Sequence, residues 1–261
     1  MENNDTFSRR ELLSKGFKTA ATLGLGMTAL GAFGDKASIA GRAWANFDRR
    51  ALYNESPDLV CEASCKQTLG PCYYPANLIR SDVREGYPGL ASKIVFRVVN
   101  IDTCSPMSGV SIDIWHTNWA GAYSAPISTF CNGTDPANQA ARFCRGIQTT
   151  DADGYATFIT NFPGWYSGRT IHIHATLRIG TTEILTTQFY FTDKVGDYVL
   201  HNYAPYTGRG ERNTRNTTDN ILGGSLVRMA PYIFSTNTLR DRSLIATKTI
   251  GIRNVATTCN A

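Results

Sequence analysis

After residue 50 the chain shows alternating and β-branched runs and no long stretch of helical periodicity. The runs Ile94–Asn100, Val110–Thr117, Tyr155–Asn161, Thr170–Ile179 and Glu183–Phe191 predict strands, with a last strand over Lys248–Val255. Ser108-Gly109, Asp153-Gly154, Pro163-Gly164 and Gly180 supply turn chemistry between them. Closely spaced short strands predict an all-β protein: a β-sandwich core with irregular N- and C-terminal arms. Residues 61 to 88 are expected to pack on the sandwich as an arm, and residues 196 to 247 to be mostly irregular. The longest predicted loop, Ser124 to Thr150, is polar and carries cysteines. A loop of that length inside a compact domain points to function. No internal repeat or linker divides the chain, so one domain is expected over residues 46–261, with its core at about 65–195.

The first 45 residues read as an address. Ser8-Arg9-Arg10-Glu11-Leu12-Leu13 matches a twin-arginine export signal, a weakly apolar stretch runs from Thr19 to Phe33, and Ala43-Trp44-Ala45 fits a small-residue cleavage site. The alternative is a cytosolic amphipathic helix with an incidental arginine pair. The three features occur in the order that export requires, so a periplasmic or secreted location is expected. Export by this route carries folded proteins and so allows metal loading beforehand.

Composition narrows the partners. The chain has 261 residues, 42% of them hydrophobic, which suffices for a well-buried core and excludes a disordered protein. The net charge of +5 comes without a dense Lys/Arg run, so no nucleic-acid partner is expected. No apolar stretch is long enough to predict a stable membrane span once the signal is removed. Seven cysteines, all beyond residue 60, suit disulfides in an oxidising compartment, and the odd number leaves at least one free or paired between chains. Cys131 with Cys144 is the easiest local bracket, although spacing alone leaves the connectivity open.

The candidate chemistry sits at His172-Ile173-His174. Residues i and i+2 of a strand face the same way, so the two imidazoles can aim at one point. That arrangement suits a metal, and the alternative is a pair of solvent-facing histidines. No Asp or Glu lies nearby until Glu183, whereas Tyr123, Tyr155 and Tyr166 do. A carboxylate-dependent Fe(II) site is therefore disfavoured, and phenolates, which suit Fe(III), are the available anionic donors.

Four segments carry a family resemblance. Pro163-Gly164-Trp165-Tyr166-Ser167-Gly168-Arg169-Thr170-Ile171-His172-Ile173-His174 resembles the P-G-x-Y…R-x-x-H-x-H signature of intradiol ring-cleavage dioxygenases. Leu69 to Pro75 resembles the family's G-P-x-Y segment, Asp113 to Ser124 its D-x-W-x-A-N-x-x-G-x-Y segment, and Thr187 to Phe191 its T-Q-x-Y-F strand. The resemblance implies a non-heme Fe(III) cofactor held by Tyr123, Tyr166, His172 and His174, with Arg169 and Gln188 as catalytic residues. It implies a catechol-type small aromatic and O₂ as substrates, a muconate-type diacid as product, and a homo-oligomer as a compatible assembly. Tyr73, Tyr74, Trp119 and Trp165 are candidate aromatic walls for the substrate. His116 is expected to pack or support rather than to ligate. Only three positions separate Tyr166 from Arg169, where the family carries a longer loop, so the resemblance names no particular substrate. It is closest to an exported branch with this shortened core. The competing readings are an exported β-sandwich that binds a ligand without catalysis, and a carboxylate-dependent Fe(II) dioxygenase or metal hydrolase.

Overall fold

The computed structural model describes residues 61–259, so the twin-arginine segment lies outside the described residues. Eight strands form two sheets: β1 (Ala91–Asn100), β2 (Val110–Trp115), β3 (Arg145–Thr149), β4 (Tyr155–Asn161), β5 (His172–Ile179), β6 (Thr182–Tyr190), β7 (Ser235–Thr238) and β8 (Leu244–Ile252). The sheets run β4-β1-β8-β7 and β3-β2-β5-β6. All pairs are antiparallel except β1 with β8.

The sheets pack through alternating positions. Ile94, Phe96 and Val98 of β1 meet Ile112 and Ile114 of β2, and Ile173, Ala175 and Leu177 of β5 fill the same cluster. Because Ile173 faces this core, period-two alternation turns His172 and His174 to the other face of their sheet. The all-β sandwich is thus observed, with predicted strands displaced by at most a few residues at their ends.

Two parts of the chain differ from expectation. The predicted loop from Ser124 to Thr150 contains β3 and two short helices, Thr129–Asn132 and Pro136–Ala140. Arg145-Gly146 gives β3 little intrinsic strand preference; pairing with β2 on one side and a bridge from Ile79 on the other make it a strand. The region expected to be irregular contains the Asp193–Asn202 helix and the polar edge strand β7. Thr192 caps that helix, its hydroxyl accepting from the Val195 N–H at 3.3 Å. Gly196 interrupts the helical pattern because a β-carbon there would sit 3.2 Å from the Ile171 side chain.

The cysteine pairing also differs. The described disulfides are Cys61–Cys104, Cys65–Cys259 and Cys72–Cys131, so the expected Cys131–Cys144 bracket is not formed. Cys144 is a buried free thiol, which burial pushes up to about 12. The N-terminal arm is held as predicted. Cys65–Cys259 spans 194 residues, and the Ser64 N–H bonds the Gly251 carbonyl at the end of β8. No helix among the described residues is long and apolar enough to cross a membrane.

Candidate metal centre

Two loops and one strand bring four donors together. His172 Nε2 lies 3.2 Å from Tyr123 Oη, 3.3 Å from Tyr166 Oη and 3.1 Å from His174 Nε2. Donors bound to one ion at about 2.1 Å lie roughly 3.0–3.4 Å apart, so this spacing fits a shared centre. His172 Nδ1 is 2.7 Å from the Thr170 carbonyl, which can only accept. The proton therefore sits on Nδ1, and the Nε2 lone pair faces the other donors. His174 stacks on Trp115, its register partner, with centroids 4.8 Å apart and planes 10° apart. Its Nδ1 is buried with no hydrogen-bond partner among the described residues.

Burial leaves all four side chains uncharged in the absence of an ion. Burial holds both imidazoles well below the ordinary histidine range, so both are neutral, as metal binding requires. Burial raises the Tyr123 phenol well above its ordinary value and raises that of Tyr166. Phenolates at these positions need a strong positive charge among them. Two neutral imidazoles and two phenols form a donor set that fits Fe(III). No group of three or more His, Cys, Asp or Glu that could hold a metal occurs among the described residues, so a metal bound here would draw its anionic donors from the two tyrosines.

Glycine explains how the two tyrosine loops meet. Gly121 has φ +79°, and a β-carbon there would lie 2.1 Å from the Trp165 carbonyl oxygen. A β-carbon on Gly164 would lie 2.1 Å from the Trp119 carbonyl oxygen. Each loop thus presses its backbone into the other at a position that only glycine fits. The Gly164 N–H bonds the Asn118 carbonyl at 2.9 Å, and the Thr117 hydroxyl bonds the Gly164 carbonyl at 2.7 Å.

Arg169 lies beside the donors and ties together residues distant in sequence. Its Nε donates to Asp219 Oδ2 at 2.9 Å, and its Nη2 donates to Gln188 Oε1 at 2.6 Å. The Asp219 side chain has no exposed surface and also accepts the N–H groups of Thr170, Ile221 and Leu222. Burial opposes its ionisation, but the Arg169 charge and the amide donors outweigh it and hold the carboxyl below the usual range. Gln188 is fully buried behind Arg169 and donates to the Thr68 carbonyl at 2.8 Å. It touches Arg169 directly but does not line the cavity.

That cavity, about 340 Å³, is floored by Tyr166, Arg169 and His174. None of the four proposed aromatic walls lines it. Tyr73 packs edge-on to Trp115 and bonds Asp113 Oδ2 at 3.1 Å. Tyr74 carries the Arg142 guanidinium 4.9 Å above its ring. Trp119 and Trp165 pack against the core, and Arg209 bonds both their carbonyls. Core and loop packing claimed these rings; the cavity walls come from Pro71, Phe130 and Ile221.

One supporting residue was given no role from the sequence. Arg145, buried on β3, donates to the Ser124 carbonyl and hydroxyl and to the Cys72 carbonyl at 2.8–3.2 Å. Burial lowers it to about 10, yet it stays charged at neutral pH. It fixes the residue next to Tyr123. Arg145→Met is expected to cost about 3 kcal/mol of stability and to weaken iron retention, read from the denaturant midpoint and from iron content after desalting.

His116 is the support that the sequence reading expected. It is buried, with Nδ1 2.8 Å from the Thr117 carbonyl and Nε2 2.8 Å from Thr160 Oγ1, a support and not a donor. Burial lowers it from 6.5 to about 4. The unfolded chain therefore takes up this proton first. The neutral ring's contribution is fully present above about pH 6.5 and is lost as pH falls toward about 4, on the order of 3 kcal/mol. Thermal unfolding of His116→Gln should lose less stability over that window than the parent does; equal losses would discount His116.

No family model matches the sequence, and no curated protein matches it. Solved structures do. An intradiol ring-cleavage dioxygenase from Tetranychus urticae aligns at TM-score 0.65 and 25% identity, over 76% of this chain and 98% of that one. The dioxygenase domain of a dioxygenase carbohydrate-binding protein fusion from Streptomyces sp. SirexAA-E aligns at TM-score 0.53 and 27% identity, over 75% and 100%. A 3-chlorocatechol 1,2-dioxygenase from Rhodococcus opacus 1CP shares the fold at TM-score 0.50 and 21% identity, over 74% and 73%. The sandwich is that of the intradiol ring-cleavage dioxygenases. The four sequence segments and the three-dimensional structure point to the same family.

Proposed function

We propose that the protein is a non-heme Fe(III) intradiol dioxygenase that cleaves a catechol-type aromatic between its two hydroxyl-bearing carbons. The observation that supports this best is the convergence of Tyr123, Tyr166, His172 and His174 on one point, with Tyr166 and His174 lining a cavity that Arg169 also lines. The ring carbons supply the electrons that reduce O₂, both oxygen atoms enter the product, and no external reductant is required. Fe(III), held by these four side chains, supplies Lewis acidity that draws electron density from the bound diol.

The side chains divide the remaining work. Tyr123 is 1% exposed and stays fixed between Arg145's anchor and the Gly121 contact. Tyr166 lines the cavity, so it is the phenol that can give way to substrate. Held as a phenolate whenever the ion is bound, its Oη would on release take up one of the diol's two protons. Arg169 faces the ring oxygens and stabilises the negative charge that develops there. Trp115 and the buried donor shell keep water from the far side of the imidazoles.

Aerobic incubation with catechol and isotopically labelled O₂ tests the reading. Purified, iron-loaded protein should be red-brown and should give a diacid carrying two labelled atoms. A coloured protein that binds catechol without product would favour the ligand-binding reading.

The three disulfides are compatible with an exported protein. Export through Arg9-Arg10 is part of the proposal. Replacing both by lysine should trap active precursor in the cytoplasm, read by fractionation and immunoblot; normal export would remove the pair's assigned role.

A further inference from the structure

Resting on the ring-cleavage reading, the geometry points to an uncharged catechol bearing an apolar substituent as the substrate class, with Phe130 as the residue that selects it. Three observations carry this. First, Arg169 is the one Lys, Arg, Asp or Glu among the described residues lining the cavity. Its charge is already matched by the Asp219 carboxylate at 2.9 Å, and its Nη2 is engaged by Gln188. With Arg169 assigned to the diol oxygens, a carboxylate elsewhere on the substrate ring would meet no second cation among the described lining residues and would lose its hydration uncompensated.

Second, three large apolar or ring side chains line the cavity. Phe130, Pro71 and Ile221 line the same cavity as Tyr166, Arg169 and His174. At about 340 Å³ the cavity has room for a ring and a substituent.

Third, Phe130 is 75% exposed although its backbone is firmly held. Its neighbour Cys131 is buried and tied to Cys72, itself a cavity residue. Asn132 is buried and donates to the Ala125 carbonyl at 2.8 Å. The short helix therefore presents a large apolar ring to the cavity mouth from a fixed position. Ile221 is fixed too, since its N–H bonds Asp219 Oδ1 at 2.9 Å. A substituent projecting from the diol toward the mouth would cover the exposed face of Phe130.

The test compares catechol, an ethyl-substituted catechol and protocatechuate, the carboxylate counterpart, on the iron-loaded full chain. Anaerobic calorimetry gives affinities, and aerobic assays give kcat/KM. The ethyl compound should bind at least about tenfold tighter than protocatechuate, with kcat/KM following the same order. Phe130→Ala should lower the ethyl-to-catechol ratio of kcat/KM about tenfold, the usual worth of a small apolar group in a pocket. Phe130→Lys should narrow the discrimination against protocatechuate. Thermal midpoints near the parent's, expected for an exposed position, confirm that both variants fold. Protocatechuate binding as tightly as the ethyl compound would overturn the inference, as would an unchanged ratio in Phe130→Ala. Binding of none of the three diols would overturn the ring-cleavage reading with it.

Discussion

Arg169→Leu is expected to keep its iron and its colour, still to perturb its spectrum on adding catechol, and to turn over roughly 10²–10³ times more slowly. In the proposed reaction the guanidinium would face substrate oxygens that gain negative charge, so kcat should fall more than KM rises. The Asp219 contact complicates this variant. Removing the arginine strands a fully buried carboxylate, and an unpaired buried charge typically costs about 3–5 kcal/mol. Some of that is offset by the three amide donors that also hold Asp219. The double variant Arg169→Leu/Asp219→Asn separates the two effects. It should recover most of the lost stability and none of the lost rate. Recovery of rate in the double variant would show that Arg169 acts only as a structural counter-ion.

His172→Ala is expected to abolish stable iron binding, with affinity falling by more than about 100-fold, since even neighbours of a ligand cost 10–100-fold. His172 Nε2 stands within 3.3 Å of all three other donors, so it is the hub of the set. Iron per chain after gel filtration and the visible absorption band give the readout. Tyr166→Phe should bleach the band while retaining some metal, because three donors remain. Iron content and colour like the parent's in either variant would remove that residue from the proposed ligands.

The strands were legible where β-branched residues alternate, and His172 and His174 were legible because a period of two needs no tertiary knowledge. The tyrosines were reached through the family resemblance; their loops carry no periodic signal, only glycines whose reason appears when the Trp119 and Trp165 carbonyls are in place. β3 escaped because an Arg-Gly start reads as loop, and pairing overrode that preference. Asp219 escaped because its partner lies 50 residues away in a segment without pattern. The Cys131–Cys144 bracket failed for a similar reason. Short sequence separation favoured it, while the fold turns Cys131 toward Cys72 and buries Cys144 beside Val83, whose carbonyl accepts the Cys144 N–H at 2.7 Å. Proximity along the chain is a poor guide where several connections are long.

The interlocked backbones at Gly121 and Gly164 bear on timing. Neither tyrosine loop can swing without prising the other loose, and Tyr166 is further bridged to Arg169 through its own backbone. When Tyr166 yields to a substrate, the motion left to it is rotation about its side-chain bonds. Such rotations at partly exposed residues take picoseconds to nanoseconds, whereas loop and domain closures extend to microseconds and milliseconds. In the proposed reaction, substrate admission therefore needs no loop or domain closure, only release of the Tyr166 side chain.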